Sequence, residues 1–308
     1  MSSNLKNFCW LIFLASLWGP SFLFIKIAII YIEPITLTAF RLGLGSALLF
    51  AILKFRQIKL PKFNSAWAHV AIASLFQSAI PFTMFAVGEQ SIDSSLAAII
   101  CGASPLFTLI IAHFFTRDDR FTKSKLIGSI VGFTGLFILI APALLGATAT
   151  AFGVFSVLIG AFCYAIGFVY VKKFINLNKF PSLTAPTLQL FFSFLFLLPL
   201  AVIFENPVMS FKHASLPAIL SALALAVFGS AIAFTVYYKI IKATSATYTS
   251  TVNYIVPVFG MILGIIILDE TVDWNSYLGC ALILFGVMIA NGIIKFVKPA
   301  RQKVSLPL

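Results

Sequence analysis

Phe76-Gln-Ser-Ala-Ile-Pro-Phe-Thr83 recurs as Phe228-Gly-Ser-Ala-Ile-Ala-Phe-Thr235, with six identities in eight positions at an offset of 152 residues. The same offset carries without a gap to Pro105 and Pro257. With a small shift, residues 15–26 lie over 161–172, so that Trp18 faces Tyr164, Phe22 faces Phe168 and Lys26 faces Lys172. Gly128 and Gly135 lie over Gly279 and Gly286. Apolar helices align easily through Leu and Ala, but collinear matches in four segments point to an internal duplication.

The segments so matched are hydrocarbon-rich. Apolar residues make up 61% of the 308 and charged residues 10%, against about 45–50% and about 25% in soluble proteins. A soluble fold cannot hide that much apolar surface. Ten apolar segments can be marked, at 8–30, 34–54, 66–88, 94–115, 124–142, 151–172, 183–204, 217–239, 245–267 and 275–296. They run near the roughly 20 residues a membrane-crossing helix needs, and none alternates with the period of a barrel strand. The expected fold class is an all-α membrane protein of ten transmembrane helices, arranged as two five-helix repeats, residues 1–147 and 148–308. Five is odd, so the second repeat enters the bilayer upside down, the inverted-repeat plan of secondary transporters. The first segment is too long for a signal-peptide core and is expected to stay as a span.

The net charge of +12 suggests nucleic acid until the basic residues are placed. Lys6, Lys54, Arg56, Lys59, Lys62, Arg117, Arg120, Lys123, Lys125, Lys172, Lys173, Lys179, Lys239, Lys242, Lys295, Lys298, Arg301 and Lys303 all fall on the face that carries both termini. The opposite face has only Lys26 and Lys212, and Arg41 lies inside the second segment. By the excess of Lys and Arg on cytoplasmic loops, both termini are expected in the cytoplasm and no nucleic-acid partner is expected. Cys9, Cys101, Cys163 and Cys280 sit in apolar runs with no CxxC and no adjacent His, so neither a metal site nor any cofactor is expected.

On Trp18-Gly19, Arg41, the mid-helix Pro105 and Pro257, and Asp269-Glu270 ahead of Gly279 and Gly286, the sequence resembles the EamA-type family of the drug/metabolite transporter (DMT) superfamily, over about residues 8–296. The resemblance implies a bacterial inner-membrane carrier, commonly an exporter of amino acids, other small metabolites or drugs. One departure is Asp118-Asp119, flanked by Arg117 and Arg120, where the second repeat has Asp269-Glu270.

Candidate substrate-binding residues are Trp18, Arg41, Gln77, Tyr164, Tyr248 and Asn253, with Pro105 and Pro257 as helix breaks. Each proline stands about 16–18 Å into its segment, near the middle of the bilayer. Having no N–H, it would free the carbonyl four residues back, those of Cys101 and Asn253. Arg41, about 10 Å from the end of its segment, is costly in lipid and must face protein. It can clamp a substrate carboxylate or pin neighbouring helices; its counterpart in the second repeat is Gln189, uncharged. Trp18 and Tyr164 can wall a cavity or pack against lipid. Gln77 and Asn253 can touch substrate, whereas Thr249 and Thr251 read as glue between helices. Gly128-x3-Gly132, Gly260-x3-Gly264 and Gly43 with Ala39 and Ala47 read as packing seams. Lys26 and Lys172 are expected to snorkel, and Glu89 to be a solvated boundary residue.

A carrier working by alternating access on a small-molecule substrate is the first functional reading, with amino acids or similar metabolites as cargo and a multidrug exporter as the alternative. A membrane-embedded enzyme needs paired acids or a His and carboxylate set within the spans, and His69, His113 and His213 lie at span ends in unrelated segments. A channel would need a symmetric oligomer with rings of carbonyls or like charges, whereas the internal repeat suits a monomer. The absence of an acid near a midplane speaks against coupling to H+, and exchange for another solute or facilitated export stays open.

Overall fold

The computed structural model describes residues 3–116, 122–145 and 148–290. Arg117, Asp118, Asp119, Arg120, the repeat boundary after residue 147 and the basic residues from Lys295 onward lie outside the described residues. Among the described residues nine helices are long and apolar enough to cross a membrane: α1 (Leu5–Ala28), α2 (Pro34–Phe55), α3 (Ser65–Gly88), α4 (Ser94–Phe115), α5 (Lys123–Pro142), α6 (Thr150–Phe174), α7 (Thr184–Phe204), α8 (Leu216–Ala243) and α9 (Ala246–Leu268). A shorter apolar helix, α10 (Trp274–Gly286), is the tenth. Helices satisfy their own backbone bonds, which lipid cannot do for them.

Their ends are fixed by local chemistry. Pro34 opens α2 at a position whose N–H has no intrahelical partner. The Glu205 carboxylate then takes the backbone N–H groups of Ile35 at 3.0 Å and Thr36 at 2.6 Å. Glu270 does the same for α4, accepting from Ser94 N at 2.8 Å and Ser95 N at 2.9 Å and from both serine hydroxyls. An anion at a helix N-terminus also meets the positive end of the helix dipole.

Every span packs on a span of the other repeat. α1 lies on α8, α3 on α6, α2 on α7, α4 on α9 and α5 on α10. Since α1 corresponds to α6 and α3 to α8, the first two pairs are one contact made twice. The remaining three are self-paired, as a pseudo-two-fold axis requires. The α5·α10 seam shows this in detail. A Cβ on Gly135 would lie 2.7 Å from the Gly279 carbonyl oxygen, and one on Gly286 would strike the Gly128 carbonyl. Gly135 and Gly279 are thus repeated by Gly286 and Gly128, and of the expected glycine seams Gly128-x3-Gly132 packs backbone on backbone, against Gly286. Gly132 meets Leu106, Gly260 meets Ala98 and Gly43 meets the Phe194 ring.

Five spans are interrupted among the described residues. α1 breaks at Gly19 ahead of Pro20, and α4 at Gly102–Ala103. α3 and α8 each carry a π-helical turn, Leu75–Ala79 and Val227–Ile232. Both turns fall on the repeated octapeptides. The two prolines behave differently from each other. Pro105 stands at the start of the second half of α4, beyond the break, whereas Pro257 lies inside a continuous helix and α9 breaks earlier, at Thr251. The duplicated prolines therefore do not make duplicated breaks. Where α4 crosses α9, Gly102 admits the Pro257 ring and the Asn253 carbonyl, 2.8 and 3.2 Å from where a Cβ would stand.

Three polar expectations are corrected. Lys26 and Lys172 do not snorkel into solvent. Lys26 Nζ donates to the carbonyls of Glu89 at 2.8 Å and Ile92 at 2.7 Å, at the C-terminal end of α3. Lys172 Nζ donates to those of Ile241, at 3.2 Å, and Thr244, at the end of α8. Residues 89 and 92 become 241 and 244 under the 152-residue offset, so one latch is built at each face. A helix C-terminus exposes carbonyls at the negative end of its dipole, which is why an ammonium settles there. Thr251 bonds the Tyr248 carbonyl in its own helix and so is not glue, whereas Thr249 bonds the Ser245 carbonyl and also shares a 3.1 Å bond with Thr244 at the end of α8. Glu89 is fully buried.

Candidate functional site

The spans meet around a cavity of about 20 Å³ at the pseudo-two-fold axis, lined by Trp18, Ser21, Phe22 and Ile25 of α1, Arg41 of α2, Phe82 and Phe85 of α3, Cys101 of α4, Tyr164 of α6, and Asn253 and Val256 of α9. That volume holds about one water. A cargo the size of an amino acid enters only if the surrounding helices part.

Arg41 is 2% exposed and is held on three sides. Its Nε donates to Ser230 Oγ at 3.2 Å, its Nη2 donates to the Gly229 carbonyl at 3.3 Å, and its guanidinium carbon sits 4.0 Å from the centre of the Phe82 ring. A desolvated cation over an aromatic face is worth about 2 kcal/mol. The Gly229 carbonyl is available because it lies in the π-helical turn of α8, where the i to i−4 ladder is displaced. It accepts a second bond, from Trp18 Nε1 at 3.2 Å. A Cβ at Gly229 would stand 2.9 Å from Ser21 Oγ and 3.0 Å from Arg41 Nη2, so glycine is what lets the cation approach.

The repeat makes the same junction again with neutral groups. Gln189 Nε2 donates to Ser78 Oγ at 3.3 Å, and Ser78 is the 152-residue counterpart of Ser230. Tyr238 donates to Gln189 Oε1 at 2.5 Å, and Ser78 and Ser193 share a bond of 2.7 Å. One junction is cationic and borders the cavity; the other is neutral and closed within packed helices.

Trp18 and Tyr164, 4% and 3% exposed, are stacked at 5.9 Å with an interplanar angle of 26°. Phe82 and Phe85 set their edges against the Tyr164 ring at 5.9 and 5.4 Å. The two aromatics thus face each other across the axis rather than lipid. Asn253 Nδ2 donates to Ser104 Oγ at 2.6 Å, bridging α9 to the break in α4.

Of the six candidate substrate-binding residues, then, the structure brings Trp18, Arg41, Tyr164 and Asn253 to one cavity. Gln77 and Tyr248 do not line it. Gln77 is buried in the π-helical turn of α3 against Gly167, and neither its Oε1 nor its Nε2 has a hydrogen-bond partner among the described residues. Tyr248 is half-buried in the short first half of α9. Among the residues not singled out from sequence, Phe82 and Ser230 stand within the repeated octapeptides themselves. Phe22, Ile25, Phe85 and Val256 are ordinary apolar residues, and only the packing distinguishes them.

The profile of the EamA-like transporter family matches residues 5–141 and again residues 151–292. The uncharacterized inner membrane transporter YedA of Escherichia coli (strain K12) is 27% identical, over 94% of this chain and 91% of its own. The uncharacterized transporter YoaV of Bacillus subtilis (strain 168) is 25% identical, over 89% and 92%. A crystal structure of a protein 18% identical superposes with a TM-score of 0.71, covering 96% of this chain and 100% of that one, which bears on the fold alone.

Proposed function

The chain belongs to the EamA-like transporter family, and on that premise we propose that it is a secondary carrier of the inner membrane that exports amino acids or similar small metabolites by alternating access. The observation that carries this reading is Arg41, the one buried cation among the described residues, beside an aromatic-walled cavity on the pseudo-two-fold axis. Arg41 Nη1 makes no hydrogen bond among the described residues, leaving one edge of the guanidinium for a carboxylate. Trp18, Tyr164 and Asn253 supply flat aromatic faces and an amide around it. The inner-membrane assignment follows the similarity to YedA. Termini in the cytoplasm follow from the placement of the Lys and Arg residues.

Alternating access is supported by the paired latches. Lys26 ties α1 to the end of α3 on the face opposite the termini, and Lys172 ties α6 to the end of α8 on the other. Two related latches at two faces give two related ways to open, one at a time. A second reading, export of amphipathic drugs, draws on the five aromatic rings lining the cavity.

Purified protein in proteoliposomes, loaded with a panel of radiolabelled L-amino acids and then with their decarboxylated amines, separates the two. Efflux of the acids, suppressed in Arg41→Gln, supports the first reading. Efflux of amines and lipophilic cations irrespective of Arg41 supports the second, and efflux of neither class removes both.

A further inference from the structure

Three of the four glutamates have carboxylates that are hydrogen-bonded. Glu33 accepts from Asn206 N and Ser210 Oγ, both at 3.0 Å; Glu205 and Glu270 cap α2 and α4 as described above. Glu89 is the exception. It stands one residue beyond α3, is 0% exposed, and neither carboxyl oxygen has a hydrogen-bond partner among the described residues. A buried carboxylate without donors is among the costliest groups a protein can hold, and the usual resolution is to take up a proton.

The surroundings favour that resolution. Lys26 on α1 is the nearest cation in sequence register, but its ammonium is bonded to the Glu89 and Ile92 carbonyl oxygens rather than to the Glu89 carboxyl. The other charged or titratable groups on packed elements are Arg41 on α2, Tyr164 on α6, Asp93 in the turn before α4, and Glu270 beyond α9. Arg41 is already committed to Gly229 and Ser230, and Glu270 to the start of α4. Burial raises the Glu89 pKa well above the ordinary carboxylate value, with the positive charge of Lys26 opposing, the negative charge of Glu270 reinforcing and Arg41 opposing. The position also matters. Phe85, one helical turn back, lines the cavity, and Ile25, next to Lys26, lines it too. Glu89 therefore lies behind the cavity wall, at the place where the α1 latch shuts one face.

We propose that Glu89 is a proton-binding site linked to closure of the face opposite the termini. As α1 closes over the end of α3, the Glu89 carboxylate loses water and takes one proton from it, becoming a neutral carboxylic acid. When that face opens, water returns and the proton leaves. Protons then favour the closed form of that face, which gives the carrier a means of sensing or using a pH difference. The linkage to closure rests on alternating access; the protonation itself does not.

Two measurements on the full chain test these parts separately. In detergent, NMR of protein labelled with 13C at the glutamate side-chain carboxyl resolves four carboxyl groups. One resonance is expected in the acid form at neutral pH and absent from Glu89→Gln. Wild type alone decides the matter if the variant does not fold, since titration of all four resonances well below neutrality overturns the proposal. In proteoliposomes, the reactivity of Cys101 with an impermeant maleimide added on the face opposite the termini reports opening of that face. Acidification lowers the thiolate fraction in any variant, so acidifying that side is expected to slow labelling more in wild type than in Glu89→Gln. Equal slowing in the two proteins, with one glutamate still protonated in wild type, overturns the linkage while leaving the transporter reading intact.

Discussion

Arg41 Nε lies 3.2 Å from Ser230 Oγ, joining α2 to α8 across 189 residues of chain. Under the repeat this contact becomes Gln189 to Ser78, at 3.3 Å. Arg41→Gln thus puts at one junction the residue already tolerated at the other, and the protein is expected to fold. A hydrogen bond to a charged group is worth about 1.5–3 kcal/mol. Loss of a substrate clamp of that size raises the apparent KM for carboxylated substrates about tenfold or more, and leaves that for amines unchanged. Flux assays on both substrate classes check this; loss of folded protein instead would assign Arg41 to helix pinning alone.

Asn253→Leu and Trp18→Ala are expected to impair transport with protein still in the membrane. The first removes the 2.6 Å bond to Ser104, and the second removes a ring that stacks on Tyr164. The tryptophan variant should also lose stability, on the scale of about 3–5 kcal/mol for emptying a buried aromatic site. Normal uptake and efflux by both variants would remove these two residues from the cavity assignment.

The lysine latches predict opposite effects at opposite faces. In a Cys9→Ser background, Lys26→Ala is expected to speed reaction of the cavity-lining Cys101 with impermeant maleimide from the face opposite the termini. Lys172→Ala should speed it from the face of the termini. Equal effects from both sides would mean that the lysines only stabilise the fold.

Gly135→Leu drives a side chain into the Gly279 carbonyl, with the Cβ alone 2.7 Å away. Overpacking of a tight seam costs about 1–3 kcal/mol. A fall in Tm in detergent is expected, and a similar fall for Gly279→Leu, because each glycine faces the other.

Burial pushes the Glu270 carboxyl up, but hydrogen bonds from the hydroxyls and backbone N–H groups of Ser95 and Ser94 outweigh it, and the pKa is lowered. A lowered folded-state value means that the cap stabilises fully above the ordinary carboxylate range and is lost as pH falls below it. Acid-induced loss of Tm should therefore be smaller in Glu270→Gln than in wild type. An identical acid limb in the two proteins would show that the cap does not titrate with unfolding.

Much of the architecture is legible in the sequence because bilayer thickness and repeat offset both leave linear marks. Ten apolar runs, a 152-residue offset and a one-sided distribution of Lys and Arg suffice for ten helices in two inverted sets. The site is only half legible. Trp18, Arg41, Tyr164 and Asn253 stand out as large or polar groups at mid-span, and they converge. Gln77 looked equivalent on those grounds, but the π-helical turn turns it toward Gly167. A displaced backbone ladder has no composition of its own. The lysine contacts escape a linear reading for a different reason. Span length gives their depth, but not whether a helix end lies within reach. The burial of Glu89 escapes it likewise, since a boundary position predicts solvent only until a neighbouring helix covers it.

The pairing of α1 with α8, α3 with α6, α2 with α7, α4 with α9 and α5 with α10 leaves neither repeat with an interior of its own. Severed between α5 and α6, the chain would become two fragments, each exposing to lipid the surfaces it now buries. Folding would turn from a unimolecular event into a bimolecular one, governed by how much of each fragment the bilayer contains. A ribosome that stops midway therefore leaves behind half of every helix pair rather than half of a working machine. The polypeptide link between the repeats is what keeps the two concentrations equal.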